Sequence, residues 1–88
     1  MKLTQKVKVT NAMGLHTRPA TAIVKMLQGV KSHVQFTYKT ITINAKSILS
    51  ILMLAARKHT VLTVTVEGID AEQVMQKLVQ GFQEGFGE

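Results

Sequence analysis

Polar and apolar positions alternate from Leu3 to Val9, with Leu3, Gln5, Val7 and Val9 on one side and Thr4, Lys6 and Lys8 on the other. That period of two predicts a half-buried strand. Asn11-Ala12-Met13-Gly14 breaks the pattern and reads as a loop. The spacing then changes: Ala20, Ile23 and Leu27 recur at helical intervals with Val24 beside them. Pro19 suits a first helical turn, and Gly29 suits a stop, so a helix is predicted over residues 17–28. Val34, Phe36 and Tyr38 predict a second strand, and Ile41 and Ile43 a third. The Lys39-Thr40 pair between them lacks the Gly or Asn of a favoured tight hairpin.

Ser47 then offers an N-cap for a short apolar helix over Ile48-Leu49-Ser50-Ile51-Leu52. Val61–Val66 is rich in β-branched residues and reads as a fourth strand. Asp70–Phe82 closes the chain as a helix whose buried face is Ala71, Val74, Leu78 and Phe82. Asp70 and Gln73 have capping-box spacing, and Ile69 and Val74 are placed for a hydrophobic staple. The order is β-α-β-β-α-β-α. Four strands with one apolar face require a layer of helices on that face.

The chain has 88 residues, which suits one domain spanning 1–88. Hydrophobic residues make up 45% and charged ones 18%, enough apolar content for a packed core and too little charge for a disordered chain. Without cysteine, disulfides, thiolate metal sites and cysteine nucleophiles are excluded. The longest unbroken apolar run, Ile51–Ala56, is too short to cross a bilayer, so a soluble, cytoplasmic protein with no membrane insertion is expected. Eleven basic residues against five acidic ones give a net charge of +6. The lysines are scattered, with no run of three, which suits a solvated basic surface or attraction to acidic proteins. Direct nucleic-acid binding would need clustered cations with exposed aromatics. Of the four aromatics, Phe36, Tyr38 and Phe82 read as buried. His33, opening a strand, and His59, in a turn, lack neighbouring ligands at metal spacing, and no metal or cofactor is implied.

The chemistry concentrates in Gly14-Leu15-His16-Thr17-Arg18-Pro19-Ala20. A histidine stands where a helix begins, and helix N-termini present free N–H groups and a positive dipole end to anions. Arg18 adds planar, charge-assisted donors for phosphate oxygens. Imidazole is nucleophilic near neutral pH and can accept and release a phosphoryl group. These residues leave open whether phosphate binds covalently or only docks.

The same segment resembles the active site of the HPr family, the histidine-containing phosphocarriers of the phosphoenolpyruvate:sugar phosphotransferase system. Asn44-Ala45-Lys46-Ser47-Ile48-Leu49 resembles that family's second signature, and the ending Gly85-Phe86-Gly87-Glu88 is similar too. The resemblance covers the whole chain. It implies an α+β open-faced sandwich, a four-stranded antiparallel sheet covered on one face by three helices. It also implies a carrier and not a stand-alone enzyme: Enzyme I phosphorylates Nδ1 of His16, and an enzyme IIA domain receives the group. Arg18 then steadies the phosphoryl group beside the Thr17 and Arg18 backbone N–H groups. Ser47 matches a serine that HPr kinase/phosphorylase modifies in many Gram-positive bacteria. A regulatory paralogue, acting mainly through Ser47 and binding a catabolite-control transcription factor, is the alternative. Partner docking is expected at Thr21, Val24, Ile48, Leu49 and Leu52, because a short helix with apolar residues nearly all round cannot bury every one. Thr17 stands where the family usually has alanine, and Ser50, Ala55 and His59 where it usually has glycines.

Overall fold

The computed structural model describes residues 1–88. Strand β1 (Lys2–Lys8) leads through the predicted loop into helix α1 (Thr17–Met26). Strands β2 (His33–Tyr38) and β3 (Ile41–Asn44) follow, then helix α2 (Ile48–Leu54), strand β4 (Val61–Glu67) and helix α3 (Ala71–Glu84). A short 3₁₀ turn, Gly85–Gly87, ends the chain. The strands form one antiparallel sheet in the order β1-β4-β2-β3.

The register explains why only one face is covered. Val7 pairs with Leu62, Val64 with Phe36, and Val66 with Val34, so the apolar positions of three strands fall on one side. Thr4, Thr65 and Gln35 form a row on the other side, as do Lys6, Thr63 and Thr37. All the buried apolar residues belong to one cluster. Phe36 of the sheet meets Phe82 of α3 edge-on at 5.5 Å between ring centroids. Truncating a core phenylalanine typically costs about 3–5 kcal/mol, so this contact is a main tie between sheet and helix layer.

The alternation predicted for the first strand holds except at Gln5, which is exposed. Helix α1 stops at Met26, two residues early, because Gln28 N–H turns back onto the Lys25 carbonyl. Gly29 takes a φ of 78° just beyond. The poor hairpin sequence is accommodated by Lys39 itself, which adopts a left-handed φ of 55°. Ala55 and His59 also adopt positive φ, at 54° and 75°, conformations that cost a side-chain-bearing residue about 1–2 kcal/mol each. Ser50 lies inside α2 and carries no such strain. Helix α3 continues to Glu84, two residues further than predicted. Tyr38 is half-buried, and Phe86 packs on Phe82 at 4.9 Å.

The start of α3 corrects the sequence reading. Asp70 forms no capping box with Gln73, and Ile69 forms no staple with Val74, since Ile69 is 85% exposed. The Asp70 carboxylate instead accepts from the backbone N–H groups of Lys31 and Ser32, each at 2.9 Å, and from the Ser32 hydroxyl. A long-range bond to the α1–β2 connection replaces a local cap. The Ser32 hydroxyl foremost, then the Lys31 N–H, hold the Asp70 carboxyl below its ordinary value of 3.8, against some desolvation. A carboxyl depressed on folding stabilises the fold above its unfolded value, and that contribution is lost as pH falls through the folded value. Stability of the wild type should therefore decline from about pH 4 downward. Asp70→Asn should be less stable at neutral pH and lose less between pH 5 and 2.5. Denaturant unfolding at stepped pH reads this, and parallel stability curves for the two proteins would refute it.

Candidate functional site

The loop after β1 is tied on both sides. Val9 N–H donates to the Thr60 carbonyl at 2.9 Å, and His59 N–H donates to the Val9 carbonyl at 2.7 Å. Leu15 N–H donates to the Ala56 carbonyl at 2.9 Å. Gly14, with φ of 70°, packs so closely that an added Cβ would lie 2.2 Å from the Ala56 oxygen. Leu15 and Pro19 are buried, which leaves His16 between two anchors.

His16 is the N-cap of α1, in extended conformation, and its carbonyl accepts from Ala20 N–H at 3.0 Å. Its side chain does not cap the helix, and no acidic residue stands in the first turn. Pro19 has no N–H, so the Thr17 and Arg18 N–H groups stay free at a positive dipole end. Thr17 and Arg18 are exposed. Arg18 and Met13 line an open hollow beside the imidazole.

The sequence reading missed what faces the ring. The Glu88 carboxylate lies against His16 Nε2, with Oε2 at 2.9 Å and Oε1 at 3.0 Å. Asn11 Nδ2 donates to the same carboxylate at 2.6 Å and to the Gly85 carbonyl at 2.8 Å. The Thr10 hydroxyl donates to the Phe82 carbonyl at 3.0 Å. These contacts join positions more than 70 residues apart, and no local spacing marks them. Desolvation pushes the Glu88 carboxyl up, but the Asn11 amide, the His16 bond and the charges of His16 and Arg18 together bring it below its ordinary value. The two side chains are mostly shielded, His16 at 28% exposure and Glu88 at 22%.

The second signature lies at α2. The Ser47 hydroxyl accepts from Ser50 N–H at 3.2 Å, the predicted N-cap, and Ser47 is partly open to solvent. Ile51 is fully buried, Leu52 half-buried, and Ile48 and Leu49 exposed. Met53, four residues after Leu49 and so on the same face, is 72% exposed and was not anticipated. Thr21 and Val24 of α1 are half-buried, and α1 packs against α2. His33 and His59 are both exposed.

The profile described as "PTS HPr component phosphorylation site" matches residues 3–84. The chain belongs to the HPr family. It is 46% identical to the phosphocarrier protein HPr of Chlamydia muridarum over 91% of its own length and 77% of that protein's. It is 35% identical to that of Xylella fastidiosa strain Temecula1, over 98% of this chain and 97% of the other. HPr-C-His from Thermoanaerobacter tengcongensis superposes with a TM-score of 0.92 at 30% identity, covering 98% of this chain and 97% of that one. HPr is a phosphocarrier of the phosphotransferase system. The open-faced sandwich implied by the motifs is therefore the fold observed.

Gly14 tests how far the HPr site depends on its loop. Gly14→Ala meets both a left-handed φ and a backbone oxygen that cannot move aside. It should destabilise the protein by about 2–4 kcal/mol, combining the conformational and overpacking costs. Denaturant unfolding measures this, and a loss under 1 kcal/mol would show the loop to be adaptable.

Proposed function

We propose that His16 accepts a phosphoryl group on Nδ1 from phosphorylated Enzyme I and passes it to an enzyme IIA domain. The observation that carries this reading is an imidazole at a helix N-terminus whose Thr17 and Arg18 N–H groups have no other acceptor. In this reading those groups and the Arg18 guanidinium receive the phosphoryl oxygens. Nδ1 is the free ring nitrogen, since Nε2 is engaged by Glu88. We place the carrier's work in the cytoplasm; no helix is long and apolar enough to cross a membrane. Enzyme I, phosphoenolpyruvate and this chain should together yield one acid-labile, base-stable phosphate per molecule. His16→Ala should take up none. Arg18→Lys keeps the charge without the planar fork and should transfer more slowly, by about tenfold. Acid-labile uptake by His16→Ala would overturn the assignment.

Regulation through Ser47 is the second element of the proposal. A kinase can reach a partly exposed helix cap, and a phosphate there meets the positive end of α2. Thr21, Val24, Ile48, Leu49 and Leu52 are proposed as the docking surface around it. The exposed Leu49 supports this most directly, at 67%. A kinase/phosphorylase and a catabolite-control transcription factor are the partners this route implies. Ser47→Asp keeps an N-cap oxygen, so stability should change by less than about 0.5 kcal/mol. Transfer from Enzyme I should slow several-fold at low salt, with the difference shrinking as salt rises. Equal rates at low salt would remove Ser47 from the docking surface.

A further inference from the structure

We propose that Glu88 and Asn11 are positioning residues that fix the tautomer of His16 and so aim its Nδ1 lone pair at the incoming phosphorus. The inference rests on His16 being the phosphoryl acceptor, and adds the groups that prepare it.

The argument begins with the ring. A neutral imidazole carries one proton, and the nitrogen without it is the nucleophile. Which nitrogen that is depends on the hydrogen bond the other one makes. Both oxygens of Glu88 lie within 3.0 Å of Nε2. A carboxylate only accepts, so Nε2 must donate, and Nδ1 keeps its lone pair. The charged groups around the ring are Glu88 from the C-terminal turn, Arg18 from α1 and Glu84 from the end of α3, and of these Glu88 alone has a bond to it.

Glu88 is itself held. Asn11 is buried, and its Nδ2 divides its two protons between the Glu88 carboxylate and the Gly85 carbonyl. Its Oδ1 is buried with no partner, so the side chain is oriented for donation alone at the cost of an unsatisfied acceptor. Gly85, with φ of 66°, lies close against the Asn11 amide, and the Thr10–Phe82 bond fixes the preceding turn. The chain Asn11–Glu88–His16 thus has the order donor, carboxylate, imidazole. It does for Nε2 what the carboxylate of a hydrolytic triad does for its histidine.

The step is balanced without moving that proton. Nδ1 donates its pair to phosphorus, the bond from phosphorus to the donor breaks, and the donor's leaving nitrogen departs with the pair. The product ring carries the phosphoryl group on Nδ1 and the original proton on Nε2, a cation that Glu88 stabilises. On the return step the ring leaves as neutral imidazole.

Phosphoramidate serves as the test donor because it phosphorylates imidazole without a protein partner and releases ammonia. Long-range nitrogen–proton spectra of the unphosphorylated protein, recorded at a pH where the ring is neutral, report the tautomer directly. Wild type should show His16 protonated almost wholly on Nε2. Glu88→Gln should show a mixture of tautomers and about tenfold slower uptake at His16. Glu88→Asp should fall between the two. Asn11→Ala should show the same tautomer shift, and adding Glu88→Gln to it should produce little further slowing, as members of one chain act together. Thermal unfolding checks that each variant remains folded, and Glu88→Gln carries the test if Asn11→Ala does not. An unchanged tautomer and rate in Glu88→Gln, or a wild-type ring protonated on Nδ1, would overturn the inference while leaving His16 as acceptor. Acid-labile uptake surviving in His16→Ala would instead overturn the reading beneath it.

Discussion

The site depends on one constraint, the backbone clamp between the loop after β1 and the connection from α2 to β4. Val9 exchanges two hydrogen bonds with His59 and Thr60, and Leu15 makes a third with Ala56. These bonds set where α1 begins, and the N-terminus of α1 is where His16 stands. The clamp also explains two unfavourable residues. The connection must turn sharply to present the Ala56 carbonyl and the His59 N–H, and it does so with Ala55 and His59 in left-handed conformations. Glycine would adopt them at lower cost. Three buried or semi-buried backbone bonds, each worth about 1 kcal/mol net, offset strain of a similar size.

What could be read from the sequence was whatever depends on near neighbours. Alternation located the strands, and helical spacing located α1 and α3. Ser47 announced its own cap because its partner, Ser50, is three residues away. His16, Arg18 and Pro19 were legible as a group for the same reason. Asp70 shows the opposite case. Its spacing to Gln73 is that of a capping box, yet its carboxylate serves Lys31 and Ser32, which offer three donors where a local cap offers one. Glu88 was invisible as a site residue because its partners, Asn11 and His16, lie 77 and 72 positions away. The packing of Phe86 on Phe82 and the bonds from Thr10 and Asn11 to the end of α3 and the turn after it bring them together.

The surplus positive charge acquires a specific place in the fold. Lys2, Lys6 and Lys8 are scattered in sequence only in the sense that one residue or more separates them. On a strand those positions share a face, and β1 is an edge of the sheet. Lysines along an edge strand discourage pairing with another chain, which a bare edge invites. Part of the charge therefore guards the sheet. On the helix side Arg18 stands at the N-terminus of α1, and Glu88, the acid that touches His16, is held in its ionised form by the groups around it.

Regulation through Ser47, as proposed, would have to act from the far end of α2. Ser47 precedes α2, whereas the carbonyl that clamps the site loop, Ala56, lies just past the other end. The seven residues of α2 span roughly 10 Å at about 1.5 Å per residue. Ser47 and the anchor of the site loop thus stand at opposite ends of α2. On the proposed reading, a partner whose footprint covers both ends of α2 would rest on the exposed side chains between them, Ile48, Leu49 and Met53. Burial of those apolar groups would supply attraction, while a charge added at the cap would decide whether an acidic or a basic surface could follow them down.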